Sequence, residues 1–205
     1  MRVRKHTNPF NFHREMPKLQ IEEQYPAPKQ PLHLDIGFAH GEFILESAKQ
    51  NPDWNYLGLE VRTPLVEKIE KLIEEQALPN CKVVAASSLM NLDIIPDNSL
   101  DRVTTFFCDP WFKPRHHKRR IINAKFLSEI PAKLKHGATI LFQTDVENLY
   151  LDTLSYINEN GHFTIILNEN GVHHPNPLGI QSYFEAQCLK NQWPIYRVEF
   201  RVAIA

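Results

Sequence analysis

From Leu32 onward, short apolar runs alternate with amphipathic stretches of helical period, and that rhythm admits few architectures. A strand that leads through a helix into another strand builds a parallel sheet with crossovers packed on its faces. Strands are predicted near residues 32–36, 56–60, 82–85, 102–107 and 139–143, and helices near 42–50, 64–76, 123–135 and 147–158. The second helix is the clearest. Leu65, Ile69, Leu72 and Ile73 share one face, while Glu67, Lys68, Glu70, Lys71, Glu74 and Glu75 form the wet one. After Gly161 the strand pattern returns at 162–167. A turn-rich loop, NENGVHHPNPLG, then precedes a short helix near 182–190, and the chain ends in an apolar strand near 195–203. Five β/α alternations followed by two strands predict a doubly wound α/β sheet of seven strands whose last strand can insert antiparallel. Residues 1–31 carry Pro9, Pro17, Pro26, Pro28 and Pro31 and no sustained period, so they read as an irregular basic arm before one domain at 32–205.

A chain of 205 residues is long enough to bury one sizeable α/β core. No apolar run approaches the roughly 18 residues that a membrane helix requires. The opening MRVRKHTNPFNFHRE has charge without an apolar stretch behind it, so no secretory signal is expected. Cys81, Cys108 and Cys188 are odd in number and far apart, which argues against a disulfide framework and for a reducing, cytoplasmic setting. Lysine and arginine number 23 against 24 acids, a net charge of −1. Any footprint for a polyanion must therefore be local.

The first candidate site is LHLDIGFAHGEF, a strand, a turn holding Gly37 and Gly41, and a helix start. Such a turn lets backbone approach a ligand with no Cβ in the way. A dinucleotide fingerprint needs a further glycine where Glu42 stands, which argues against a pyrophosphate. Asp35 ends the first strand and Glu60 the second. Carboxylates there repel phosphate but suit a cationic centre and ribose hydroxyls, and S-adenosylmethionine is such a ligand.

The second is TTFFCDPWFKPRHHKRRI, where an apolar strand delivers Asp109, Pro110 and Trp111 to the carboxyl edge of the sheet. Lys113, Arg115, Lys118, Arg119 and Arg120 follow, with His116 and His117 among them. This patch beside Trp111 and Phe112 suits phosphate contact and base stacking. No carboxylate or cysteine at helical spacing accompanies the histidines, so no metal is expected. The third is LFQTDVENLY, in which Thr144 and Asp145 stand at a strand end and are equally natural helix caps. In the fourth, NPLGIQSYFEAQ, Ser182 and Glu185 have the spacing of a capping box.

These segments, in this order, resemble the tRNA (guanine-N(7)-)-methyltransferase family over nearly the whole chain, and the tail NPLGIQSYFE with WPIYRVEF is similar to its cyanobacterial and plant-type branch. The most specific block is DPWFKPRHHKRR, supported by DIGFAHGEF, YLGLEVRTPLV and QTDVENL. The resemblance implies a Rossmann-like class I methyltransferase that moves a methyl group from S-adenosylmethionine to N(7) of a guanine in the variable loop of tRNA. It implies that Asp35, Gly37, Gly41, Glu60 and Asp109 line the cofactor and guanine site. Lys113, Asp145, Ser182 and Glu185 match positions that handle tRNA, with Arg115, His116, Lys118, Arg119 and Arg120 on its phosphates. The chain departs from the family pattern at Cys108, usually proline, at Ala39, usually glycine, at Val146, usually tryptophan, and at Ser182, usually threonine. Where the family has an acid on the adenine side, this chain has Ser87 and Ser88.

N(7) of guanine already carries an in-plane lone pair, so the chemistry asks for alignment and charge stabilisation rather than a strong base. Asp109 is the first candidate to stabilise the developing cation and Asp145 the second. A small-molecule methyltransferase would share the sheet without needing the 113–120 patch. A non-catalytic tRNA-binding protein would keep the patch and lose the acids at 35 and 60. Monomer and homodimer are both open.

Overall fold

The structure, a computed structural model, describes residues 7–11 and 15–203. Arg2, Arg4 and Lys5, expected to join the basic footprint, lie outside them. Strands β1 (Leu32–Ile36), β2 (Asn55–Glu60), β3 (Cys81–Ala85), β4 (Leu100–Phe106), β5 (Leu134–Thr144), β6 (Phe163–Val172) and β7 (Ile195–Val202) form one seven-stranded sheet. Its order is β3-β2-β1-β4-β5-β7-β6. The first five strands are parallel, and β7 slots in antiparallel to both β5 and β6. The helices are α1 (Ile21–Gln24), α2 (Glu42–Gln50), α3 (Thr63–Glu75), α4 (Ala124–Glu129), α5 (Glu147–Asn160) and α6 (Tyr183–Asn191). Among the described residues no helix is long and apolar enough to cross a membrane.

Every residue of β1 and β2 is buried, as expected of parallel strands covered on both faces. One face packs Leu34, Ile36, Val103 and Ile140 against Phe126 and Leu149. On the other, the α3 stripe Val66, Ile69 and Ile73 meets Phe38, Ile44 and Val83. By contrast, β6 alternates half-buried and exposed residues, the pattern of an edge strand with one wet face.

Three predicted boundaries move, each for a local reason. The helix expected over 123–135 stops at Glu129 and tightens into a 3-10 turn, Ile130–Lys133, which contains Pro131. The following strand then starts at Leu134, five residues early, and absorbs the excess as a register shift between the Leu100 and Arg102 pairs. The first part of the expected 168–179 loop instead extends β6 to Val172, because Glu169 pairs in register with Arg197 and forms an ion pair with it. Within the proline-rich arm, Ile21 and Tyr25 are buried in the main core. The Tyr25 hydroxyl donates to the Tyr56 carbonyl at 3.0 Å, and Leu19 N–H to the Ile94 carbonyl at 2.7 Å.

One buried cation ties the antiparallel end of the sheet together. Arg197 is fully buried; its Nε donates to Gln143 Oε1 on β5 at 2.6 Å and its Nη2 to the His174 carbonyl at 3.1 Å. Its guanidinium also meets the carboxylates of Glu169 on β6 and Glu185 on α6. Glu185 in turn accepts from the backbone and side-chain N–H groups of Asn176, both at 2.6 Å. The loop that leads into α6 is thereby fixed to three strands.

At Gly58, in the middle of β2, an added Cβ would lie 2.6 Å from Phe38 Cδ1 and 2.9 Å from Ile44 Cδ1. The missing side chain is what lets the loop after β1 lie flat on the sheet. Gly58→Ala is expected to destabilise the fold by about 1–3 kcal/mol through overpacking, read as a lower denaturation midpoint.

Candidate active site

The carboxyl ends of β1, β2, β4 and β5 converge where the strand order reverses, the place at which open α/β sheets bind ligands. Between β1 and α2 the chain turns through three left-handed residues, Gly37 (φ 77°), Ala39 (φ 52°) and Gly41 (φ 79°). Gly41 is doubly required, since a Cβ there would approach Ile69 to 2.6 Å. The turn roofs a narrow cavity floored by Asp35 and bordered by Phe38, Phe43, Phe106 and Tyr183.

Asp35 is buried, and its Oδ1 accepts from the Thr104 hydroxyl at 2.8 Å. Burial drives its carboxyl up to about 7; the Thr104 hydrogen bond pulls the other way and the Glu60 charge adds to the rise. Glu60 is also buried and fully engaged. It accepts from Ala39 N–H at 3.1 Å, from Arg62 N–H at 3.1 Å, and from the Arg62 guanidinium at 3.0 and 2.7 Å. A ligand hydroxyl reaching Glu60 must therefore displace or share Arg62. Ser87 and Ser88 are buried just beyond β3, whose end is held by Ala86 N–H donating to the Glu60 carbonyl at 3.1 Å. The Ser87 hydroxyl has no partner among the described residues, which leaves a buried donor two residues beyond the end of β3.

Beyond β4, Phe107 (φ 50°) and Trp111 (φ 46°) bracket Cys108, Asp109 and Pro110 in left-handed backbone that aromatic residues seldom adopt. Such strain costs on the order of 1–3 kcal/mol per residue and persists only where the surroundings enforce it. Two contacts enforce it here. Phe107 N–H donates to the Gln143 carbonyl at 2.7 Å, and Arg120 Nε to the Pro110 carbonyl at 2.8 Å. Asp109 is held half-buried between them, close enough to Arg62 for its charge to favour the guanidinium.

The basic run winds into a short 3-10 helix, Pro114–Arg119. Lys113, Arg115 and Lys118 are exposed, while the Arg119 guanidinium lies 4.9 Å from the Trp111 ring centroid, a cation–π contact. Partial burial, and then the charges of Arg119, Arg115, Lys113 and Lys118, hold His116 below the ordinary histidine range. Arg120 differs from the expectation that the whole run meets phosphate. It is 2% exposed and pairs with Asp152 of α5, so it clamps the Asp109 loop to a helix and presents no surface to a polyanion. Among the described residues no cluster of three His, Cys, Asp or Glu side chains converges as metal ligands would.

The remaining candidates divide. Asp145 is half-buried just past the end of β5, and the N-cap position of α5 falls on Val146, not on Thr144 or Asp145, with no side-chain cap. Thr144 instead accepts from Val146 N–H at 3.2 Å. Ser182 caps α6 by accepting from Glu185 N–H at 3.3 Å, and its neighbour Tyr183 is 48% exposed at the cavity rim. The other half of the capping box is missing because the Glu185 carboxylate faces Asn176 and Arg197, wholly buried. Expected on tRNA, Glu185 instead holds the 176–182 loop in place. Sequence reasoning missed Arg62 and the Thr104 partner of Asp35. Arg62, two residues past the acid that ends β2, was the more legible. Thr104 signalled only as a polar residue inside an apolar strand.

A family model described as "Putative methyltransferase" matches residues 29–198. The chain is 37% identical over 199 residues to a tRNA (guanine-N(7)-)-methyltransferase of Synechococcus sp. (strain JA-3-3Ab), covering 96% of this chain and 84% of the relative. It is 34% identical over 206 residues to the enzyme of that name from Synechocystis sp. (strain ATCC 27184 / PCC 6803 / Kazusa), covering 96% and 95%. Among solved structures, the 16S rRNA methyltransferase KamB superposes with a TM-score of 0.66 at 15% identity, over 90% of this chain and 92% of that one. An antibiotic-related methyltransferase superposes with a TM-score of 0.64 at 19% identity, over 88% and 90%. These two likenesses establish the fold.

Because its folded carboxyl titrates at about 7, above the ordinary 3.8, Asp35 favours the fold while protonated. That contribution is complete below about pH 4 and is lost as the pH rises through about 7. Without ligand, Asp35→Asn is expected to match the wild type in thermal midpoint near pH 4 and to exceed it increasingly towards pH 8.

Proposed function

The chain belongs to the tRNA (guanine-N(7)-)-methyltransferase family, and from that membership we propose that it transfers a methyl group from S-adenosylmethionine to N(7) of a guanine in tRNA. The observation that carries this reading is one sheet edge that presents two kinds of surface. Buried acids at Asp35 and Glu60 stand beside a strained loop bearing Asp109, and an exposed basic run follows directly. The acids fit a donor with a positive sulfur and paired hydroxyls, and the orphaned Ser87 hydroxyl fits a purine edge. When bound, S-adenosylmethionine supplies an electrophilic methyl group on that sulfur.

In this reading Asp35 faces the positive end of the donor, and Glu60 takes the ribose hydroxyls as Arg62 yields. Asp109, held rigid by Phe107, Pro110 and Arg120, stabilises the positive charge that grows on the guanine ring; Asp145 orients the base. Lys113, Arg115, Lys118 and Arg119, with His116 among them, meet the phosphates. Ser182 and Tyr183 border the cleft from α6, and Arg120 and Glu185 act as framework. Residues 32–205 form the methyltransferase domain, and 1–31 an arm whose described part straps onto it. A cytoplasmic place of action suits Cys81, Cys108 and Cys188 as thiols outside any disulfide.

Tritium transfer from labelled donor to bulk tRNA, followed by nucleoside analysis, tests the whole reading; label in 7-methylguanosine is expected. Label in another nucleoside would replace the assigned target, and label in a small molecule with none in tRNA would select the small-molecule reading. Asp109→Asn is expected to slow single-turnover transfer on the order of 10²-fold with little change in tRNA affinity, and Asp145→Asn to slow it less. Equal, full rates in both variants would displace the proposed active site. Binding should weaken steeply with salt, and Lys113→Ala with Lys118→Ala should flatten that slope by about one unit per lost phosphate contact. An unaltered slope would make the run a solvated face.

A further inference from the structure

His33 and Asp35 lie two apart on β1 and so share a face; in the parallel register Thr104 of β4 stands opposite Asp35 and Arg102 opposite His33. The Thr104 hydroxyl donates to Asp35 Oδ1 at 2.8 Å, and the same oxygen lies 2.9 Å from His33 Nε2. A hydroxyl has one proton. With that proton spent on Asp35, His33 must be the donor, and the chain runs from His33 Nε2–H through Thr104 Oγ1–H to Asp35. All three side chains are buried. The imidazole is walled in by Tyr56, Phe43 and Trp54, with ring centroids at 5.3, 5.9 and 6.4 Å, and Arg102 stacks on Trp54 at 4.4 Å. Burial, and then the Arg102 charge, hold His33 down to about 3, so it donates as a neutral ring. Its Nδ1 has no partner among the described residues. Strand pairing alone has no use for a buried histidine here, and the unpartnered nitrogen is a cost without structural return.

We propose that His33 and Thr104 are positioning residues that fix the direction of this chain, so that Asp35 meets the positive end of the methyl donor as an oriented carboxylate. The proposal rests on the assignment of Asp35 to the donor's site. A lone Thr104 hydroxyl could rotate and accept a proton from a neutral Asp35. With a donor behind it, the hydroxyl must point forward, and pointing forward favours the ionised form. That help is needed, because burial and Glu60 together push Asp35 up to about 7. The other groups around it do not substitute. Glu60 on β2 is acidic and paired with Arg62, and Cys81 on β3 is pushed up to about 12 and stays a thiol. Arg102 lies behind His33 at the far end of the chain, while Glu42 of α2 and His40 of the loop stand exposed at the rim.

The test is calorimetric affinity for S-adenosylmethionine between about pH 6 and 9, with a melting curve for each variant. Wild-type affinity is expected to rise through about pH 7 and level off. Thr104→Val should move the midpoint up by about one unit, weakening binding roughly fivefold at pH 7 and recovering it near pH 9. Thr104→Ser should restore the wild-type curve, and His33→Phe should shift it the same way as Thr104→Val, carrying the test if the valine variant fails to fold. A loss equal at every pH, or no shift in either variant, overturns the proposal. Asp35→Asn separates the two readings. Weak, pH-independent binding by it alongside an unshifted Thr104→Val curve removes only the relay, whereas wild-type binding by Asp35→Asn removes Asp35 from the donor's site and the relay with it.

Discussion

Strand β1 is hydrogen-bonded to β2 on one side and to β4 on the other, so the crossovers leaving it wind in opposite directions and part above its carboxyl end. The backbone there turns sharply to reach α2. Left-handed residues at 37, 39 and 41 make the turn, Gly58 gives it room, and Asp35 is left at the floor. The acids of the site owe their burial to this geometry. A carboxylate at the end of a doubly covered strand loses its water before it finds a partner, which is why Asp35 titrates near neutrality despite the hydrogen bond it accepts from Thr104.

A second constraint acts from the opposite end of the sheet. Arg197 on the antiparallel β7 gathers Gln143, Glu169 and Glu185, and a cation so deeply buried is stable only while those partners stay in place. Gln143 also uses its carbonyl to hold Phe107, the first residue of the strained Asp109 loop. The same residue thus couples the Arg197 cluster to the loop that carries Asp109. Arg120 anchors the other side of that loop to α5. The backbone on both sides of Asp109 is thereby held from two directions, by Gln143 and by Arg120.

The electrostatics of the chain follow from separation rather than excess. With a net charge of −1, any attraction for a polyanion has to be local, and Lys113, Arg115 and Lys118 are crowded on one exposed turn while Asp35 and Glu60 are buried. The crowding has a consequence for His116, whose neighbours favour its neutral form. The turn thus sets fixed charges of lysine and arginine around a histidine whose neutral form is favoured.

Much of this was legible in the residues. Alternation of period two and period 3.6 specifies which stretches can be strands or helices, because that pattern is a property of neighbours along the chain. It placed β1, β2 and α2 closely, and the order of acids, glycines and the DPW block indicated one edge as the site. What the sequence left undecided involves partners far apart in number. Arg120 looked like its basic neighbours, and only its approach to Pro110 and Asp152 makes it a clamp. Glu185 had the spacing of a helix cap, and only Arg197 and Asn176 turn its carboxylate inward. Thr104 read as one more residue of an apolar strand until parallel pairing set it opposite Asp35. Local periodicity is written in consecutive residues, but a buried charge or hydroxyl takes its role from whichever group tertiary packing brings within about 3 Å, where low dielectric makes the contact decisive.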